Sequence, residues 1–324
     1  MIGGKLQAVR FAARIALGVS MLLLCVPSRA NAQTLTELRV ATTPTDTGAQ
    51  VYYALDLGLF KKNGLDVHVS SINAGSAVAT AVAGGSFDIA QTSITALASA
   101  HEHGLPFVII APGGAYSSKA PTSELVVPAT SAIRSASDLA GKTIAVNGIK
   151  SITQIAVEAW IDQNGGKSAD SKYYEIPFAQ MSAALTAGRA DAAFIAEPSL
   201  AKALEGGAKV IGHAYDAVGS DFLISAWFCT TGYAKAHPDI VQRFSSAIAE
   251  ASRWANDHQD ESAKILEKYT KTQVTSKIVR VTYVDRLIAR QVQPLIDASA
   301  KYGALAKSFP ATELFASTGT DVRH

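Results

Sequence analysis

Small hydroxyl residues and glycines gather where the apolar runs of this chain end. The segments are Thr42-Thr43-Pro44-Thr45-Asp46-Thr47-Gly48, Asn73-Ala74-Gly75-Ser76, Gln91-Thr92-Ser93 and Asn147-Gly148-Ile149-Lys150-Ser151. Hydroxyls donate hydrogen bonds, and glycine lets a ligand approach the backbone. A helix N-terminus adds unpaired N–H groups and the positive end of the macrodipole. Any one segment is accounted for as an N-cap or turn, where Ser, Thr and Asp are preferred anyway. Four together, from both halves of the chain, read as the lining of an oxyanion-binding cleft. No arginine stands in them, so a two-pronged guanidinium clamp on a carboxylate is not expected. A sulfonate or another weakly basic oxyanion suits them, and so does a carboxylate.

One acid joins this set. Glu197 ends the run Ala192–Ile195, where a carboxylate can hold a ligand's amine, hydroxyl or protonated acid, pair with a cation, or begin a helix with Pro198 at its first position. Signals for catalysis are poor. There is no Gly-x-Ser-x-Gly elbow and no phosphate loop ending in Gly-Lys-Ser/Thr. His101-Glu102-His103 looks like metal chemistry, but residues two apart on a helix face different ways, so a solvated helix end is expected. Neither a cofactor nor a metal is expected. Cys229, in an apolar run, reads as an inert buried thiol. Trp160 and Trp254 read as core, while Trp227 is a candidate for the cleft wall.

The elements that would position these residues alternate strand and helix. Strands are predicted at 38–41, 65–69, 87–90 and 107–111, with helices at 49–60, 77–83 and 94–103 between them. The rhythm restarts with strands at 125–127, 143–146, 173–176, 192–195 and 210–211, and helices at 151–164, 181–187 and 200–204. Such alternation implies a mostly parallel sheet flanked by helices, here twice. Ligands of such sheets sit beyond the carboxyl ends of the strands. Helices are then predicted at 238–258, 261–269, 274–290 and 292–302, too poor in strands for a third sheet. The reading is an α/β protein of two lobes, 33–120 with 222–324 and 121–221, with crossings near Pro121 and Asp221 and the helical tail packed on the first lobe. Small ligands favour the cleft such lobes enclose.

The first 32 residues read as an export signal. Lys5, Arg10 and Arg14 precede the apolar stretch Ile15–Val26, and Ala30-Asn31-Ala32 is a small-x-small cleavage site. Twelve apolar residues fall short of the roughly 20 that span a bilayer. The whole chain carries 29 basic and 27 acidic residues. Without the signal's four cations (Arg29 is the fourth) the balance becomes 25 against 27, net −2. Nothing here suggests a basic face for nucleic acid or anionic lipid. The mature chain keeps a single cysteine, so it forms no internal disulfide.

Several motifs also match a known class. They are Tyr53-Ala54-Leu55-Asp56-Leu57-Gly58-Leu59-Phe60-Lys61-Lys62-Asn63-Gly64-Leu65-Asp66-Val67, then Gly75-Ser76, Gly85-Ser86-Phe87-Asp88-Ile89 and Ser137-Asp138-Leu139-Ala140-Gly141-Lys142-Thr143-Ile144-Ala145-Val146. Gly188-Arg189-Ala190-Asp191-Ala192-Ala193-Phe194 and His237-Pro238 complete the set. On these the chain resembles the periplasmic solute-binding proteins of the nitrate, sulfonate and taurine class, which include relatives for aromatic carboxylates and thiamine precursors. The resemblance implies a Venus-flytrap fold (type II periplasmic binding protein) with two hinge crossings. It also implies a monomer that delivers a small anion to an inner-membrane ABC permease. The ligand contacts it implies are Thr45, Asp46, Thr47, Gly75, Ser76, Gln91, Thr92, Ser93, the region of Tyr116, Ser151, Ile152, Thr153 and Glu197. Ser225 on the return strand is a further candidate. Some taurine-like members place an acid there, so this chain departs from them and taurine itself is disfavoured. Fungal thiamine-pyrimidine synthases share the scaffold but carry a cysteine-rich motif that is absent here, which argues against their activity. A sensing module that reports ligand to a membrane receptor is the competing reading.

Overall fold

Strand β1 (Thr36–Thr42) buries Leu38, Val40, Ala41 and Thr42 and exposes Glu37 and Arg39. That alternation, closing on a fully buried end, fits an interior strand of an α/β sheet. A computed structural model describes residues 35–72, 75–271, 274 and 278–316, of which Gly75 and Ser76 by backbone alone. Helix α1 (Gln50–Asp56) follows β1, then α2 (Leu59–Lys62), and β2 (Leu65–Ser71) returns parallel to β1. Next come α3 (Gly75–Ala83), β3 (Ile89–Ser93), α4 (Ile94–Glu102) and β4 (Phe107–Pro112). Strand β5 (Gly114–Ser117) leads out of this unit.

The second α/β unit contains β6 (Ser123–Val127), β7 (Thr143–Val146), α5 (Ile152–Gln163), β8 (Lys172–Glu175), α6 (Phe178–Thr186), β9 (Ala192–Ala196), α7 (Ser199–Glu205) and β10 (Lys209–Gly212). Strand β11 (Asp221–Leu223) brings the chain back and pairs antiparallel with β5. Strand β12 (Ser225–Thr230) then re-enters the first sheet. Helices α8 (Thr231–Ala236), α9 (Pro238–Asp257) and α10 (Gln259–Thr270), the short β13 (Thr282–Tyr283) and α11 (Ala289–Lys301) complete the described chain.

The first five-stranded sheet has the order β2-β1-β3-β12-β4, and the second β10-β6-β9-β7-β8. A three-stranded ribbon, β11-β5-β13, carries both crossings. The fold is thus the two-lobed α/β architecture expected from the sequence, with α8–α10 of the helical tail on the first sheet's unit and α11 packed on both units. The sheets are more mixed than expected: β12 runs antiparallel to β3 and β4, and β6 antiparallel to β9 and β10. Each antiparallel strand enters its sheet beside a crossing.

Helix α9 shows how the tail is held. Pro238 occupies its first turn, and Ile240, Val241, Phe244, Ala247, Ile248, Ala251 and Ala255 form one buried stripe at helical spacing. Phe244 stacks on Phe60 at 5.4 Å and meets Trp227 edge-on at 5.4 Å. Each such aromatic pair adds about 0.5–1.5 kcal/mol beyond burial. Trp227 is fully buried in this core and donates to Gln50 Oε1 (2.8 Å), so it lines no cleft. Trp160 and Trp254 are half-buried against the cores.

The helix predicted at 274–290 is corrected. Residues 278–288 contain no helix and include β13. Their backbone groups are taken by distant partners: Val281 N–H donates to Asp46 Oδ2 (2.8 Å), and Tyr283 exchanges N–H and C=O bonds with the Asn256 side chain (3.0 and 2.7 Å). Amphipathic spacing cannot impose a helix on groups already bonded elsewhere.

Candidate functional site

The first half of the site is the loop after β1. Thr43 Oγ1 donates to Gln91 Oε1 (2.8 Å) and Thr45 Oγ1 lies 3.2 Å from Thr43 Oγ1 and 2.9 Å from Thr47 Oγ1. The three hydroxyls form a half-buried ladder. Gly48 turns the chain into α1: a Cβ there would come within 2.5 Å of Thr42 Oγ1 and 2.6 Å of Thr43 O, so only glycine fits without movement.

Asp46 departs from its expected role. Its carboxylate takes Arg280 Nε at 3.0 Å and Arg280 Nη2 at 2.8 Å, with Val281 N–H and the Tyr283 hydroxyl adding 2.8 and 3.0 Å bonds. Both charged side chains are buried, Asp46 at 4 % exposure and Arg280 at 9 %. Burial, the largest single effect, would lower the guanidinium's pKa; the Asp46 charge and hydrogen bonds, with Tyr53 and Tyr283, together outweigh it and hold Arg280 firmly protonated. A carboxylate so saturated has no capacity for a ligand. Asp46 instead clamps the 278–284 stretch onto the first loop.

Gln91, Thr92 and Ser93 belong to β3 rather than to a loop beyond it, because β12 extends the pairing through Ser225↔Ser93, Ala226↔Thr92 and Trp227↔Gln91. Gln91 is committed to Thr43 and, through Nε2, to Thr47 O (3.4 Å). Thr92 is buried. Ser93 is half-exposed and caps α4 by accepting from Ala96 N–H (3.2 Å). Ser225 is buried and committed: its Oγ donates to Thr47 O (3.1 Å) and accepts from Gly114 N–H (3.2 Å). Gly113 is required beside it, since a Cβ would fall 2.3 Å from that same Oγ. Tyr116 lies on the crossing strand β5. It is buried between Tyr215 and Phe222, and its hydroxyl donates to Asp216 Oδ1 (2.7 Å). Gly75 and Ser76 open α3, and their side chains lie outside the described residues.

The second half is the turn after β7. Thr153 Oγ1 donates to Asn147 Oδ1 (2.8 Å) and contacts Ser151 Oγ at 2.8 Å. Ser151 is the N-cap residue of α5, half-exposed, while Ile152 and Thr153 are buried. At the end of the neighbouring β9, Glu197 is 5 % exposed and accepts Ala201 N–H at 3.0 Å. Pro198 is the N-cap of α7 rather than its first residue. Glu197 forms no ion pair with any described cation. Burial pushes its carboxyl up to about 7; the N–H groups of Ala201 and Val279 pull it down, and Asp46 and Glu124 raise it. The influence of Val279 and Asp46 puts the end of β9 near the loop after β1 and the stretch that Asp46 holds.

Arg280 and Tyr283 escaped the sequence reading because they sit in the stretch read as helix. Glu124 and His213 also escaped it. Glu124, buried on β6, bonds His213 Nδ1 through both oxygens (2.8 and 2.7 Å), and burial raises its pKa. His101 and Glu102 bind the tail instead of a metal: His101 meets Glu313 at 3.0 Å and Glu102 accepts Ala306 N–H. Among the described residues, no group of three or more His, Cys, Asp or Glu is placed to hold a metal ion.

Solved structures share this fold. The periplasmic aliphatic sulphonate-binding protein of Escherichia coli superposes with a TM-score of 0.70 at 19% identity, over 86% of this chain and 97% of that one. The periplasmic nitrate-binding protein of Synechocystis PCC 6803 gives 0.73 at 15%, over 86% and 85%. The ligand-binding component of an ABC-type import system from Staphylococcus aureus gives 0.75 at 17%, over 87% and 96%. Among curated protein sequences none matches significantly. Residues 47–262 match the NMT1/THI5-like family, two thirds of the sequence, and the chain belongs to that family.

Proposed function

We propose that this protein is the exported substrate-binding component of an ABC importer, binding one small organic anion between its lobes. It acts by binding and not by catalysis. The observation that carries this reading is the approach of Glu197, at the end of β9 in the second sheet, to Asp46 in the loop after β1, with hydroxyl clusters at two strand ends, Thr43-Thr45-Thr47 after β1 and Asn147-Ser151 after β7. Sulphonate and nitrate binders on the same scaffold support it. In this reading residues 33–120 with 222–324 form one lobe and 121–221 the other. Residues 1–32 are a cleaved export signal, the mature protein is a monomer, and an inner-membrane permease receives the closed form.

The ladder and the Ser151 turn hold the ligand's sulfonate or carboxylate, with Ser93 at the rim. Glu197 sets what lies at the other end. A buried carboxylate without a cation repels a bare anion but accepts from an N–H or O–H donor. The best ligand therefore joins an oxyanion to a donor group. A thermal-shift screen against alkanesulfonates, amino-substituted sulfonates, aromatic carboxylates, nitrate and thiamine precursors tests this. At a hundredfold excess over Kd a true ligand adds about 2.7 kcal/mol of apparent stability. A shift only with donor-free nitrate would overturn the Glu197 assignment; no shift with any compound, in protein stripped of co-purified ligand, would overturn the binding reading.

A further inference from the structure

The apolar interior is divided unevenly between the lobes. One cluster, including Leu38, Phe60, Trp227, Phe244 and Leu266, belongs to the first lobe alone. Another, including Met181, Ile195 and Leu200, belongs to the second alone. The third is continuous across both: it contains Ile94 and Phe228 of the first lobe, Ile144, Ile152 and Phe194 of the second, and Tyr116 and Phe222 of the crossings.

Helix α11 runs through this shared core. Its buried face is Val292, Leu295 and Ile296, and it packs on α4 of the first lobe, on β11 of the ribbon and on α5 of the second lobe. It is tied to the first lobe through the tail. Ala311 N–H donates to Gln293 Oε1 (2.8 Å), His101 meets Glu313, and Phe315 bridges to Ile109 of β4. Polar ties add to this around the crossings: Tyr116 to Asp216, Gln163 Nε2 to Ala217 O (2.7 Å) and, from α11 itself, Gln291 Nε2 to Asp221 Oδ2 (3.2 Å). Residues 35–324 accordingly form one compact unit. A wide rotation of the lobes would lift α11 from α5 and bring the apolar face of both into water, which hydrophobic burial opposes.

We propose that α11 is a strut that holds the lobes at near-closed spacing in the ligand-free protein, so that ligand enters through a small opening. The proposal takes its consequence for entry from the binding-protein reading, but its test needs no ligand. Spin labels at the exposed positions of Lys61→Cys and Glu205→Cys report the interlobe distance; Cys229, buried with its thiol pushed up to about 12, does not compete. The ligand-free protein is expected to give one narrow distance distribution. Leu295→Ala should lengthen and broaden it, whereas Leu266→Ala, the same truncation in the first lobe's own core, should not. If Leu295→Ala does not fold, Ile296→Val carries the same expectation at smaller size. A broad or two-peaked distribution in the unsubstituted protein overturns the strut, as do identical distributions for the Leu295 and Leu266 variants. Either result leaves the screen for ligands untouched, so the two readings fail separately.

Discussion

Two buried carboxylates, Asp46 after β1 of the first sheet and Glu197 after β9 of the second, are told apart by their partners. Asp46 is saturated by a bidentate arginine, a backbone N–H and a tyrosine hydroxyl. Glu197 is equally buried but holds backbone N–H groups and, among the described residues, no cation. Among the described residues, only Asp46 of the two has its charge answered by a cation. The counter-ion decides what a buried acid does. With one it is a fastener, and without one it is poised to change protonation or to meet a donor from outside.

Asp46→Ala is expected to have the largest effect. Removing one partner of a buried pair leaves the other charge uncompensated and costs about 3–5 kcal/mol. Urea denaturation should show that loss, and a loss below about 1 kcal/mol, the scale of an exposed pair, would erase the contrast between the two acids. Glu197→Gln should act in the opposite sense at high pH. A carboxyl whose folded pKa is raised favours the native state below its ordinary range near 4.5, and that contribution fades as pH climbs through about 7. The unsubstituted protein should thus lose about 2–3 kcal/mol from this group as pH rises across that window. An amide at this position cannot ionise, so the variant should be flatter in pH and relatively more stable on the alkaline side. Equal pH profiles of melting temperature would show that Glu197 is answered by a charge after all. The smallest effect on stability is expected for Thr45→Val, within about 1 kcal/mol. Its loss should appear in calorimetric ligand affinity, about tenfold for one hydrogen bond to a charged group. Unchanged affinity would remove the hydroxyl ladder from the site.

Much of this fold was legible because its signals are local. The cap at Ser93, the stripe of α9 and the buried runs of β4, β6 and β9 follow from side chains and their immediate neighbours. The grouping of hydroxyls after β1 and β7 was legible for the same reason. Long-range partners were not. Nothing near Asp46 in sequence announces Arg280, 234 residues away, and the stretch containing it has helix-like apolar spacing that tertiary bonds override. Nor does Ser225 reveal from its neighbours that Thr47 and Gly114 consume its hydroxyl. Residue type located the candidate polar groups; which of them remain available for a ligand was decided by partners distant in the chain.

If one small molecule sits between the two hydroxyl-lined strand ends, blocking that space must abolish binding. Native mass spectrometry of the mature protein with the ligand panel, compared with Ser151→Trp, reads this out. Ser151 is half-exposed at the N-cap of α5, and an indole there should fill the space that the proposed ligand occupies. A single bound molecule per chain is expected in the unsubstituted protein and none in the folded variant. Equal occupancy in both would place the ligand elsewhere and contradict binding between the lobes.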